Sequence, residues 1–163
     1  MIESLWSFSL KIYKRPGVER ACLTLQDSIG ADINILMYCC WRGKMSNDEI
    51  NDLLIQFPSW QNEVVKGLRD VRRKIKHLLS TKYAPAQNIK ELRRKVAALE
   101  LEAEKIEQSM LSRFAKNYSI GRSSRSASKS NLLMYTSLIS SKLNKNNKAA
   151  LATLLNATFP NEK

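Results

Sequence analysis

Four polar side chains, Gln26, Asp27, Asp32 and Asn34, stand in the otherwise greasy run PGVERACLTLQDSIGADINILMYCCW, residues 16–41. Two carboxylates and two amides this close together have two uses. They can line a polar pocket between helices for a small ligand or cation, or they can fit helices to one another. A carboxylate-rich metal site in a helical bundle needs carboxylate–His pairs spaced three or four apart. No histidine accompanies these residues, so no metal is implied. The single histidine, His77, lies among cations with no acid close by in sequence, a poor setting for a general base. No nucleophile elbow, P-loop or GxGxxG is present. The three cysteines, Cys22, Cys39 and Cys40, form no CxxC and no disulfide framework. They are expected as free thiols serving as small buried hydrophobes. Nothing in these residues calls for a cofactor.

A second chemistry is positive charge. In LRDVRRKIKHLL, residues 68–79, Lys66, Arg69, Arg73 and Lys76 align opposite an apolar stripe of Val64, Leu68, Val71 and Ile75. Arg72 and Lys74 flank the stripe, and Arg93, Arg94 and Lys95 begin the next helical pattern. Such a stripe can follow phosphates or an acidic partner, with strong salt dependence. No helix-turn-helix, zinc-finger or RNA-binding signature goes with it. The run ALELEAEKIEQ, residues 98–108, reverses the sign with Glu100, Glu102, Glu104 and Glu107. It is expected to pair with basic residues of this chain or of a partner.

The elements that must position these groups all read as helices. Leu5 to Tyr13 forms a first short helix. Pro16 suits a first helical turn and Gly30 a helix stop, with Val18, Ala21, Cys22, Leu25 and Ile29 as the apolar stripe between. Relative to that stripe Gln26 lies about 80° away and Asp27 about 180° away at 100° per residue. Asp27 also falls in the last turn, where the helix dipole disfavours an anion. A lysine or arginine from elsewhere is expected to compensate it. Asp32 is placed to cap the next helix, Ile33–Trp41, which is apolar nearly all round and so must be enclosed by protein. Asn34 inside it needs hydrogen-bond partners. Ser46 with Glu49 makes a capping box for a helix through Gln56.

Pro58 and Ser59 open a longer helix with the stripe Val64, Leu68, Val71, Ile75, Leu78. Beyond Tyr83-Ala84-Pro85, the residues Ile89, Leu92, Val96, Leu99, Ala103, Ile106 and Met110 step alternately by three and four. Two such stripes predict an antiparallel hairpin packed like a coiled coil. GRSSRSASKS, residues 121–130, reads as a basic flexible linker or loop. Leu132–Leu143 and Lys148–Phe159 read as two closing helices.

Charge is distributed unevenly along these elements. The chain of 163 residues has a formal charge of +12. Residues 1–57 carry 6 Lys/Arg against 7 Asp/Glu, residues 58–115 carry 13 against 7, and residues 116–163 carry 8 against 1. The excess favours acidic partners. The N-terminal residues lack a signal-peptide pattern, and the longest apolar run, Ile35–Trp41, falls far short of the roughly 20 residues that span a bilayer. A soluble cytoplasmic protein is expected.

The segment WSFSLKIYKRPGVERACLTLQDSIGADINILMYCCW resembles a family signature of the form W-x-F-S-L-x-x-Y-x-x-P-G-V…A-C-L-x-L-Q-D…G-x-D-x-N…W. The LRDVRRKIK and LELEAEKIEQ segments resemble the same family's middle. The family is one of small uncharacterised proteobacterial proteins carrying a domain-of-unknown-function label, and the resemblance covers roughly residues 6–115. It implies a cytoplasmic bacterial helical protein, brings no catalytic residues, and places weight on Trp6, Phe8, Tyr13, Gln26, Asp27, Asp32, Asn34 and Trp41.

The expected architecture is all-α. A domain over residues 1–115 combines a short-helix cluster (1–57) with a helical hairpin (58–115). A basic flexible linker or loop over 116–130 and a helical pair over 131–163 follow. Three functions are carried forward. The leading one is a non-enzymatic interaction module engaging a protein partner or a second copy. The others are nucleic-acid association through the basic hairpin and a small-ligand or enzymatic site at Asp27, Asp32 and Asn34.

Overall fold

The computed structural model describes residues 3–81, 83, 85–119 and 121–161. Every regular element among them is helical, as expected. In chain order these are α1 (Leu5–Tyr13), α2 (Val18–Ile29), α3 (Ile33–Trp41) and α4 (Asn47–Gln56). A π-helical turn (Trp60–Val65) runs into α5 (Lys66–Leu78), followed by α6 (Ala86–Phe114), a 3-10 turn (Ala115–Asn117), α7 (Arg125–Ile139) and α8 (Lys145–Thr158). They form two compact units, Met1–Leu53 with Gln108–Lys163, and Leu54–Glu107.

The first unit is built around α3. Ser4 caps α1 by accepting the Ser7 N–H (3.2 Å). Gly17 and Gly30, both at positive φ, bracket α2, and the Gly30 N–H closes the helix on the Gln26 carbonyl (3.0 Å). Asp32 Oδ1 accepts the Asn34 N–H (2.8 Å), the expected cap of α3. Ile35, Leu36, Met37, Tyr38, Cys39 and Cys40 are all buried, and α1, α2 and α7 pack around them while α8 packs on α2. A helix apolar on every side has been enclosed, as its composition requires. Ser46 Oγ accepts the Glu49 N–H (3.1 Å), so half of the expected capping box forms. The other half does not, because the Glu49 side chain is turned inward.

The chain after Gly121 departs from its expected outline. Ser124 accepts the Ala127 N–H (3.2 Å) and α7 begins at Arg125, so residues 125–130 are helix rather than linker. The reason is tertiary. Small side chains let α7 lie close against α3, where Ser128 Oγ of α7, and Ser123 Oγ just before it, donate to the Cys40 carbonyl (3.1 and 2.7 Å). The same helix stops at Ile139, short of Leu143. Helix α8 starts at Lys145 rather than Lys148, because Asn144 and Asn147 cap each other's backbone (2.9 and 3.1 Å).

The second unit is an antiparallel hairpin. Trp60 Nε1 donates to the Ala103 carbonyl (3.1 Å). Arg69 reaches Glu100 (2.9 Å) and Glu104 (3.0 Å), while Arg72, one turn further on, reaches back to Glu100 (2.5 Å). The apolar stripes divide. Ile75, Val96 and Ala103 are buried, whereas Val71, Leu78, Leu92, Leu99 and Ile106 are each 43–54% exposed. At 100° per residue these five lie about 40–80° to one side of the line through Ile75 or Val96, and the Arg–Glu pairs lie on the other side. Because the helices run in opposite directions, the exposed flanks of both open on the same side of the hairpin.

Candidate functional site

The four polar residues of the opening stretch part company. Asp32 and Asn34 are buried, and each is committed between helices. The Asp32 N–H donates to Tyr135 Oη on α7 (2.8 Å), and Asn34 Oδ1 accepts from Gln108 Nε2 at the end of α6 (2.7 Å). Gln26 is half-buried. Asp27 is exposed, and no ion pair reaches it among the described residues. The expectation that a lysine or arginine compensates Asp27 is therefore corrected: its place opposite the α2 stripe faces water, which screens the anion that a dry helix end would have to neutralise.

A buried ion pair of this unit forms elsewhere, and of its residues the sequence singles out only Glu49, as part of a capping box. Arg42 Nε and Nη2 donate to the two oxygens of Glu49 (2.7 and 2.8 Å), and Tyr38 Oη donates to Glu49 Oε1 (2.7 Å). Arg42 Nη2 also donates to the Ser119 carbonyl (3.2 Å). The side chains of Arg42 and Glu49 are 0% and 2% exposed. Burial works to lower the Arg42 pKa, but the hydrogen bonds and charge of Glu49 outweigh it and hold the guanidinium above its ordinary range. Burial, followed by the bond to Glu49, pushes the Tyr38 phenol well up, so it stays a donor.

Asn131 was missed as well. Its Nδ2 donates to the Cys39 and Gly43 carbonyls (3.0 and 2.9 Å), and its Oδ1 accepts the Met45 N–H (2.9 Å). One amide thus satisfies three backbone groups where α3 ends. The cysteines are buried and free. Burial pushes Cys22 and Cys40 up to about 12 and Cys39 well above its usual value, so none is poised as a nucleophile.

The basic residues also divide. Lys66, Arg73, Lys76, Arg94 and Lys95 are exposed, with Lys95 3.6 Å from Glu91, and Arg93 is half-buried. Arg69 and Arg72 are spent on Glu100 and Glu104. Burial works to raise the Glu100 pKa, but hydrogen bonds from Arg72 and Arg69 and their charges hold it below the usual carboxylate range. The acidic run therefore pairs, in part, within its own hairpin. Among the described residues no group of three or more His, Cys, Asp or Glu could hold a metal ion. No described helix is long and apolar enough to cross a membrane.

No curated protein and no solved structure matches the chain significantly. The model of a protein family described as "Protein of unknown function (DUF2390)" matches residues 4–111, from the start of α1 into the last turn of α6. That span takes in the capped α3, the Tyr38–Arg42–Glu49 cluster and the whole hairpin, and the chain belongs to the DUF2390 family.

Proposed function

We propose that this protein is a non-enzymatic interaction module of the bacterial cytoplasm whose hairpin receives an acidic amphipathic helix from another protein. The observation that carries this reading is the row of Val71, Leu78, Leu92, Leu99 and Ile106 on one side of the hairpin. Covering the exposed half of each side chain contributes about 1 kcal/mol, enough in sum for association once the costs of binding are met. A helix laid in that groove would complete a three-helix, coiled-coil-like bundle.

Charge selects the partner. Residues 54–107 carry 12 Lys/Arg against 7 Asp/Glu, and Lys74 and Lys95 border the apolar strip on its two helices. A second copy brings the same positive field and is disfavoured, whereas an acidic helix is attracted. Nucleic acid is the weaker reading, because Arg69 and Arg72 already serve Glu100 and Glu104. A ligand site at Asp27, Asp32 and Asn34 is weaker still, because the Asp32 carboxylate caps α3, the Asn34 amide bonds across to Gln108, and Asp27 stands apart in water.

The test uses a four-heptad Leu/Glu peptide as probe, with a Leu/Lys peptide of the same pattern as control. Fluorescence anisotropy is expected to show binding of the acidic peptide alone, lost in the double variant Leu92→Glu, Leu99→Glu, which keeps its native circular dichroism. Equal binding of both peptides, or binding indifferent to the double variant, overturns the proposal. So does self-association in sedimentation that the double variant abolishes, which makes the occupant a second copy. DNA or RNA binding that survives moderate salt also overturns it.

A further inference from the structure

Within the first unit, independently of the hairpin, α1, the end of α3 and the chain around residues 121–123 and 159 enclose a cleft of about 700 Å3. That size is typical of sites for small organic ligands. Three half-buried aromatic side chains, Phe8, Trp41 and Phe159, share the lining with three cations, Lys11, Arg42 and Arg122. One acid, Glu3, also lines it, and it is engaged by Lys11 at 3.1 Å. Arg122 is exposed and has no acidic partner among the described residues. Arg42 is buried and bonded through Nε and Nη2, yet among the described residues its Nη1 has no hydrogen-bond partner. A buried guanidinium N–H left without an acceptor is costly, and such groups mark places where an acceptor is missing.

The walls are held in place. Trp41 Nε1 donates to the Glu3 carbonyl (2.8 Å), which ties the indole to the chain just before α1. On the opposite side Ser123 is tied to the Cys40 carbonyl and the Ser119 carbonyl to Arg42. Gly43 and Gly121 touch backbone to backbone, and a Cβ on Gly43 would sit 2.5–2.7 Å from Gly121 atoms. This approach sets the 121–123 segment against the end of α3, and only glycine at position 43 permits it.

We propose that this cleft binds a flat aromatic anion. The ring lies among Phe8, Trp41 and Phe159, and its carboxylate or phosphate faces Arg122 at the mouth with Arg42 behind. Aromatic faces supply affinity for a planar ring, and guanidinium groups are suited to planar or tetrahedral oxyanions.

The experiment titrates the full chain by calorimetry with 1-naphthoate and with adenosine monophosphate, the carboxylate and phosphate forms of this chemistry. Naphthalene-1-methanol and 1-naphthylmethylamine serve as neutral and cationic counterparts. One of the two anions is expected to bind, and which one identifies the anionic group. The neutral and cationic compounds are expected to bind at least about tenfold more weakly. Arg122→Glu, a surface change that leaves folding intact, is expected to weaken the anion about tenfold or more. Gly43→Ala, checked for retained helicity, is expected to weaken it too by moving the wall. Absence of anion binding at millimolar concentration, equal binding of the alcohol, or an unchanged affinity in Arg122→Glu overturns the proposal. An affinity lost in Leu92→Glu, Leu99→Glu instead places the probe on the hairpin and overturns it equally.

Discussion

Around α3 the chain takes polar groups out of water and gives them partners within a closed apolar core. Asp32, Asn34, Arg42, Glu49, Ser128 and Asn131 are all buried there beside Leu36, Tyr38 and Cys39. Along the hairpin the arrangement is reversed. The Arg69, Arg72, Glu100 and Glu104 network closes one flank, while Leu92, Leu99 and Ile106 lie open on the other. The first unit spends its polar residues on specifying one packing of short helices, none of which could stand alone. The second keeps apolar surface in reserve. Surface of that kind on a small helical unit is the usual mark of a site where another chain is received.

The strongest way to break this contrast is to strip the first unit of its buried acid. Glu49→Leu leaves Arg42 charged, buried and without its bidentate partner, and is expected to cost about 3–5 kcal/mol in urea denaturation. Adding Arg42→Met is expected to return part of that loss, because the pair is replaced by apolar volume. A loss below about 1 kcal/mol for Glu49→Leu would mean that the buried cluster does not hold the unit together.

How much of this contrast is legible in the sequence depends on how local the signal is. Asp32 as a cap and the enclosure of Ile33–Trp41 rest on nearest neighbours and on a composition that leaves no face for water, and both are met. The Tyr38–Arg42–Glu49 cluster leaves no local trace, because Arg42 lies just past the end of α3 beside Gly43, where a basic residue suits the negative end of the helix dipole. Glu49 three residues after Ser46 reads as a capping box, and its actual partner lies in the preceding element. Asn131, too, lies close to the residues read as linker, and its three bonds reach a helix end some ninety positions earlier. Composition marks GRSSRSASKS as flexible only while α3 is left out of account. On the hairpin, periodicity finds the stripes correctly. It cannot say which half of each stripe faces the other helix, because that depends on where the arginines find their glutamates.

The hairpin's closed flank makes a smaller, pH-dependent prediction. Glu100 has its pKa lowered in the folded chain, so its contribution is fully present above the ordinary glutamate range and is lost as pH falls through the lowered folded value. Unfolding free energy measured downward from neutral pH is expected to decline across that acidic window, and Glu100→Gln is expected to flatten the decline. At neutral pH the same variant is expected to cost about 1–2 kcal/mol, since the two arginines keep a weaker acceptor. A decline of the same slope in Glu100→Gln would show that other carboxylates carry it and that the closed flank adds no electrostatic stability.

The smallest effect has the opposite sign from the one a buried ion pair would produce. If Asp27 were such an acceptor, neutralising it would cost stability. It is instead exposed in the last turn of α2, a helix that Gly30 already closes through its own N–H. There the negative end of the helix dipole repels the carboxylate. Asp27→Asn keeps the shape, removes the charge and is expected to stabilise the protein by about 0.3–0.5 kcal/mol at low salt, with the gain shrinking as salt is added. A salt series of urea denaturations resolves the sign. A loss of about 1 kcal/mol or more would mean that Asp27 holds a cation and that the outer face of α2 belongs with the bonded polar groups around α3.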